Sequence, residues 1–288
     1  MKDIPLSPRI IAIKRKRRAL KIRLAILFVI SFALIVWLLS FLSSIKNVTI
    51  SEITITGTHI VDQADIENII RKDISGKYLY IFPKNNSLIY PRRKIKNDLI
   101  KTIPRIENLS VYIDRLNSLH IDIDERKGSY LYCGSEIPQE KNEVGENCYF
   151  INNDGYIFDK APYYSGNVYF KYYLKLDDES VDCLGQQMLE VDYFHKIARF
   201  IDAVTAMGFK PIYLQVGDDQ TGHLYLYHGA KSTSPEIIFK MDDDLDLIED
   251  NLRIAVSKNE FFDEINSKYN SLLYIDLRFE NKVLYKFK

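Results

Sequence analysis

Residues 24–45 (LAILFVISFALIVWLLSFLSSI) carry no charge, no proline and no glycine. As a helix this run is about 33 Å long at roughly 1.5 Å per residue. That length matches a bilayer hydrocarbon core of about 30 Å. Held in water, so much aliphatic surface would be very costly, whereas a helix in lipid satisfies its own backbone groups. The run therefore predicts a single transmembrane helix, and every later segment has to be read as lying on one side of it.

The flanks give the direction. Residues 1–23 hold nine basic side chains and one acid, a net +8, so the rest of the chain carries −8. Basic residues stay on the cytoplasmic side. The expectation is a cytoplasmic N-terminus and an extracytoplasmic remainder. A cleaved signal peptide would have an apolar region of only about 7–15 residues and a small-residue cleavage site; 43–45 makes a poor one. Topology and contact with anionic lipid account for the basic stretch, so nucleic-acid binding is not expected. The remainder is long enough for two small domains with their own cores.

Three cysteines, Cys133, Cys148 and Cys183, all follow the apolar run. A disulfide can persist outside the cytoplasm. Cys133 ends one apolar run and Cys148 begins another, with a polar loop over 134–147 between them. That arrangement suggests a Cys133–Cys148 bridge at the neck of the loop, the other reading being two ordinary thiols. Cys183 is left over.

Between 48 and 126 the pattern reads strand, helix, helix, strand, strand. Residues 48–57 (VTISEITITG) alternate β-branched and polar positions, ending at Gly57. Asp62 offers an N-cap for a helix over 63–70 with Ile66, Ile69 and Ile70 on one face, and Gly76 is a stop. Residues 77–90 read as irregular. Pro91 suits the first position of a second helix bearing Ile95, Leu99 and Ile100. Leu109, Val111 and Ile113 alternate, then Leu119, Ile121 and Ile123, with a turn over 115–118: a β-hairpin. Two helices on one face of a three-stranded sheet make a two-layer α+β unit.

Beyond 126 the chain reads as mainly β with flanking helices. Short strands are expected over 130–132, 149–151, 156–158 and 168–176, with a turn at 152–155. A helix is expected over 187–207, carrying Val191, Phe194, Ile197, Ala198 and Ile201 on one side and stopped by Gly208. Further strands fall over 212–216, 224–227 and 237–241. Helices follow over 245–256 and 260–269, and strands over 272–279 and 282–287.

Chemical motifs are few. Residues 242–246 (DDDLD) begin like a calcium loop, but Leu247 stands where the sharp turn needs Gly and Arg253 where the bidentate Glu belongs. An acid-rich helix N-terminus explains the run better. His223 and His228 read as surface histidines, and no P-loop, dinucleotide or nucleophile-elbow motif occurs. The many aromatics, among them Tyr78, Tyr80, Phe82, Tyr163, Tyr164, Tyr169, Tyr172 and Tyr173, fit sheet packing. No cofactor, metal site, catalytic residue or small-molecule substrate is expected.

With 53–57 (ITITG), the proline before 105–111, and 122–126 (DIDER), the first folded region resembles a POTRA domain, a small module that binds partner chains. With 149–158 (YFINNDGYIF), the helix before Pro211 and the closing 274–279 (YIDLRF), Asn281 and Val283, nearly the whole chain resembles the bacterial division family FtsQ, called DivIB in other lineages. The resemblance implies four parts: a basic cytoplasmic tail (1–23), a transmembrane helix (24–45), a POTRA-like domain (48–126) and a β-rich C-terminal domain (127–288). It also implies a non-enzymatic scaffold of the divisome at the septum, supporting septum formation. Its partners would be other single-pass division proteins, of the FtsB (DivIC) and FtsL type. In the family a partner segment adds as a strand near the last strands. The matched positions are Tyr274, Asp276, Arg278, Phe279, Asn281, Val283 and Tyr285, with Arg278, Phe279 and Tyr285 as expected anchors. Alternation puts Asp276 and Arg278 on one face and Ile275, Leu277 and Phe279 on the other. Two features depart from the family pattern: 127–130 (KGSY) after Glu125-Arg126, and the Cys-bounded loop. The alternative is another POTRA-containing envelope protein, acting in membrane-protein assembly.

Overall fold

The apolar run is one part of a longer helix. In the computed structural model, which describes residues 8–138, 147–164, 167–176, 182–229, 234–280 and 282–288, helix α1 spans Pro8–Ser43. The segment expected as a basic tail is thus helical from Pro8 onward. The stretch Arg17–Ser43 is long and apolar enough to cross a membrane, and none of it is buried within the protein. Phe28 is 72% exposed and Trp37 66%, so these rings need a non-aqueous neighbour.

The chain divides into two compact units, 1–99 with 108–124, and 100–107 with 125–288. Residues 100–107 group with the later residues, and the later unit otherwise begins at Glu125. Within that second unit the Arg105 guanidinium pairs with Asp159 and lies 5.1 Å from the Phe158 ring centre. Arg126 stands 4.4 Å over the Tyr156 ring and donates from Nε to Pro104 O at 3.1 Å.

The first elements are β1 (Glu52–Thr56), α2 (Gln63–Asp73), a small hairpin β2 (Lys77–Tyr78) and β3 (Phe82–Pro83), α3 (Arg92–Thr102), β4 (Ile106–Arg115) and β5 (Ser118–Glu125). The sheet order is β1-β5-β4, with β1 parallel to β5. Strand β1 starts later than the alternation over 48–57 implies. Residues Lys46–Val48 form a short 3-10 turn, and Thr49 bridges to Asn86 instead. Asp62 caps α2 as expected, accepting from Ala64 N–H at 2.9 Å. Gly57 has φ +83°, a conformation that suits glycine. Ile66, Ile70, Ile95, Leu99, Leu109, Val111, Leu119, Ile121 and Ile123 are buried. Residues 77–90 are less irregular than expected, since 77–83 close into the β2–β3 hairpin.

The later elements are β6 (Tyr130–Tyr132), β7 (Tyr149–Ile151), β8 (Ile157–Lys160), β9 (Lys171–Tyr173), α4 (Val191–Ala206), β10 (Pro211–Val216), β11 (Thr221–Leu226), β12 (Glu236–Lys240), α5 (Leu245–Val256), α6 (Asn259–Ser267), β13 (Leu272–Phe279) and β14 (Lys282–Phe287). They build one nine-stranded sheet, ordered β14-β13-β12-β11-β10-β9-β6-β7-β8. The protein is thus a mixed α+β fold with one N-terminal apolar helix.

Two expectations here are corrected. Helix α4 begins at Val191, because the Glu190 carboxylate accepts from the N–H groups of Asp192 and Tyr193 and so caps the first turn. Its buried face is Phe194, Ile197, Phe200, Ile201 and Val204, while Val191, in that first turn, is exposed. The strand expected over 168–176 shrinks to three residues. The core gathers Phe194, Phe200 and Val204 from α4, Leu252 from α5, Ile265 from α6, and Leu214, Leu224, Ile237 and Ile275 from the sheet.

Candidate partner-binding edge

Strand β14 lies at one end of the nine-stranded sheet, and among the described residues no strand pairs with its outer side. The opposite end is treated differently. There Ile157 N–H donates to Gln186 O at 2.9 Å, Ile157 O accepts from Gly185 N–H at 2.8 Å, and Tyr156 bridges to Gln187. The start of β8 is covered by its own chain at Tyr156 and Ile157; β14 presents backbone.

The register says which groups it presents. Both irregularities in the β13–β14 pairing add a residue on β13, so β14 itself runs regularly. Lys288 N–H donates inward to Ser271 O at 2.8 Å. Alternation along an antiparallel strand then turns the N–H and C=O groups of Val283, Tyr285 and Phe287 outward.

The expected site residues fall into three groups. Asp276 is 5% exposed and accepts three hydrogen bonds from Arg278: from its backbone N–H at 3.1 Å, Nε at 2.9 Å and Nη2 at 2.7 Å. Burial pushes the Asp276 carboxyl up, but the bonds from Arg278 outweigh it and hold it below the ordinary value. The same bonds raise Arg278. The guanidinium of Arg278, an expected anchor, is thus engaged by its own strand while its side chain stays 38% exposed.

Tyr285 and Val283 form the second group. The Tyr285 hydroxyl donates to Glu264 Oε2 at 2.8 Å, and its ring meets Phe261 edge-on at 5.1 Å and Phe287 at 5.7 Å. That bond to Glu264 raises the Tyr285 phenol. Glu264 is held low by its hydrogen bond from Lys268 first and from Tyr285 second. Val283 is half-buried against the core.

Tyr274 and Phe279 make the third. Tyr274 is half-buried and pairs in register with Lys286. Phe279 is 48% exposed; the register shift between Asp276 and Phe279 carries it away from the face of Ile275 and Leu277, correcting the expected alternation. Asn281 lies outside the described residues. Sequence reasoning missed Leu284, 46% exposed on the outer strand, the α6 residues Phe261 and Glu264, and Lys268 just after that helix. Strand alternation could have found Leu284; nothing local signals that α6 abuts β14.

Cys133 and Cys148 are joined in a disulfide with Cα atoms 4.2 Å apart. The pairing of Tyr132 with Tyr149 makes them the next cross-strand pair. Residues 139–146 of their loop lie outside the described residues. Cys183 is free and half-buried. Asp244, from the acid run, caps α5 by accepting from Asp246 N–H at 3.1 Å. His223 is no free surface histidine, as it bonds Glu236 at 3.0 Å. The aromatics divide: Tyr172 and Tyr173 are buried, whereas Tyr80 and Tyr163 are exposed.

No family model matches the chain, nor does any curated protein.

Proposed function

We propose that this protein is a membrane-anchored scaffold of the FtsQ/DivIB kind, whose POTRA-like first unit and β-rich second unit work outside the cytoplasmic membrane at the division septum. In this reading it catalyses nothing and takes no cofactor. It binds single-pass division proteins of the FtsB/DivIC and FtsL type, which add a strand to β14.

The observation that carries the reading is the β14 edge, left open among the described residues, in a sheet whose other edge strand starts under its own chain. Unpaired N–H and C=O groups on an edge are a template for another strand. Exposed Leu284, Phe279 and part of Tyr285 lie beside that backbone and suit the alternate side chains of an incoming segment.

The test is capture of partners from solubilised membranes, identified by mass spectrometry, with the wild-type chain and Val283→Pro. Proline at 283 removes an outward N–H and spares the pairing with β13. Losing one backbone bond at about 1.4 kcal/mol weakens strand addition about tenfold. Division proteins captured by the wild type and lost with Val283→Pro support the proposal; equal capture by both chains refutes strand addition at β14. Absence of division proteins from the wild-type capture refutes the family assignment.

A further inference from the structure

Leu79 and Tyr80 form a turn that hairpin chemistry does not explain. Lys77 pairs with Pro83 and Tyr78 with Phe82, and Ile81 N–H closes the turn on Tyr78 O at 2.9 Å. The two central residues have φ of +49° and +60°. That is a type I′ geometry, normally given to Asn-Gly or Gly-Gly because it strains larger residues. Leucine and tyrosine nonetheless occupy it, and they are 82% and 96% exposed. The protein interior gains nothing from either side chain.

The surroundings say what could. Within the same unit, Ser40 Oγ of α1 donates to Ile81 O at 3.0 Å. Buried Asn86 donates from Nδ2 to Ser43 O at 2.8 Å and accepts from Leu88 N–H at 2.8 Å. Ser40 lies three residues inside the end of α1, about 4.5 Å along its axis. It belongs to the uncharged run, and Lys46 is the first charge after it. A bilayer core of about 30 Å centred on that run ends near residue 44, about 7 Å beyond Ser40, so Ile81 is bonded just inside the outer boundary of the core. The hairpin tip is the next residue along. Leu88, 75% exposed, flanks the tether through Asn86. Tyrosine beside a span favours the interface between lipid and water and leucine the hydrocarbon, and Lys77 and Lys84 on the hairpin arms suit phosphate headgroups.

We infer that the β2–β3 hairpin is a membrane wedge: Leu79 and Tyr80 enter the outer part of the bilayer beside the C-terminal end of α1, and phospholipid is what covers them. The inference rests on α1 spanning the membrane. Its effect is to give the first unit a second attachment and so to fix the unit against the lipid surface instead of leaving it on a single pivot.

Tryptophan fluorescence of the full chain tests this, because Trp37 is the one native tryptophan. The double variant Trp37→Phe, Tyr80→Trp is reconstituted in phosphatidylcholine and phosphatidylglycerol vesicles with or without brominated acyl chains. Trp37→Phe, Ile60→Trp is the comparison, as Ile60 is 67% exposed in the turn after Gly57. The expected result for Tyr80→Trp is blue-shifted emission, loss of intensity with brominated lipid and protection from aqueous acrylamide, with Ile60→Trp quenched by acrylamide alone. Tyr80→Trp quenched by acrylamide as fully as Ile60→Trp overturns the wedge. So does protection from acrylamide without lipid quenching, which marks a protein neighbour. The wild-type chain separates the two readings. Trp37 quenched by lipid while Tyr80→Trp is not strikes the wedge alone, and Trp37 left unquenched strikes the span and the wedge with it.

Discussion

Removing the Arg278 side chain should expose how the end of β13 is held together. In Arg278→Ala the Asp276 carboxylate keeps the backbone N–H of residue 278 and loses the two side-chain donors at 2.9 and 2.7 Å. Hydrogen bonds to charged groups contribute about 1.5–3 kcal/mol each, and breaking a fully buried pair costs about 3–5 kcal/mol. The Arg278 side chain is 38% exposed, so water reaches part of the vacated space and the pair is worth less than that limit. An estimate of about 2–3 kcal/mol follows, or a fall in Tm of about 5–10 °C for a unit of this size. Thermal unfolding of the full chain in detergent, followed by near-ultraviolet circular dichroism of the tyrosines, reads it. Asp276→Ala with Arg278→Ala leaves no charge stranded and should recover part of the loss, giving a coupling well above the roughly 0.5 kcal/mol expected of independent sites. The pH dependence has a definite sign. The Asp276 carboxyl titrates below its ordinary value in the folded chain, so its contribution is present above the unfolded value of about 3.9 and is lost as pH falls through the lower, folded value. Arg278→Ala should flatten that acid limb. A variant as stable as wild type, with additive double-mutant energies, refutes the clasp and restores Arg278 as a free contact residue.

Two further outcomes follow from named positions. Cys133→Ala with Cys148→Ala opens a loop of sequence separation 15 and should cost about 3 kcal/mol by the loop-entropy relation; denaturant midpoints, with non-reducing peptide mapping of the wild type, check it. Gly57→Ala combines φ +83° with a Cβ that would overlap the Ile123 carbonyl, so it should destabilise the first unit by about 2 kcal/mol or more, read as lost amide-exchange protection in β1 and β5.

Much of the element order was legible in the chain. Helix α5 begins and ends where its apolar spacing puts it, and the 106–125 hairpin follows its two alternating runs. Both depend on neighbours within a few residues. The misses share one cause. Phe200 and Val204 are buried because the sheet covers them, and the alternation over 48–51 yields to a bridge with Asn86, distant in sequence. At the candidate edge, the matched residues could be located, yet the engagement of Arg278 by Asp276 and of Tyr285 by Glu264 could not, because hydrogen-bond partners depend on geometry.

The sequence alone determined the apolar helix, the strand and helix periods, and the cysteines poised at a loop neck, since each rests on local spacing and on the cost of leaving apolar surface in water. Tertiary structure decided which strand ends the sheet, which edge the chain covers with its own backbone, and where Leu79 and Tyr80 stand relative to α1. Strand order and edge exposure arise from pairings between residues far apart in the chain, and no local pattern encodes which of several β-forming segments will be left without a neighbour.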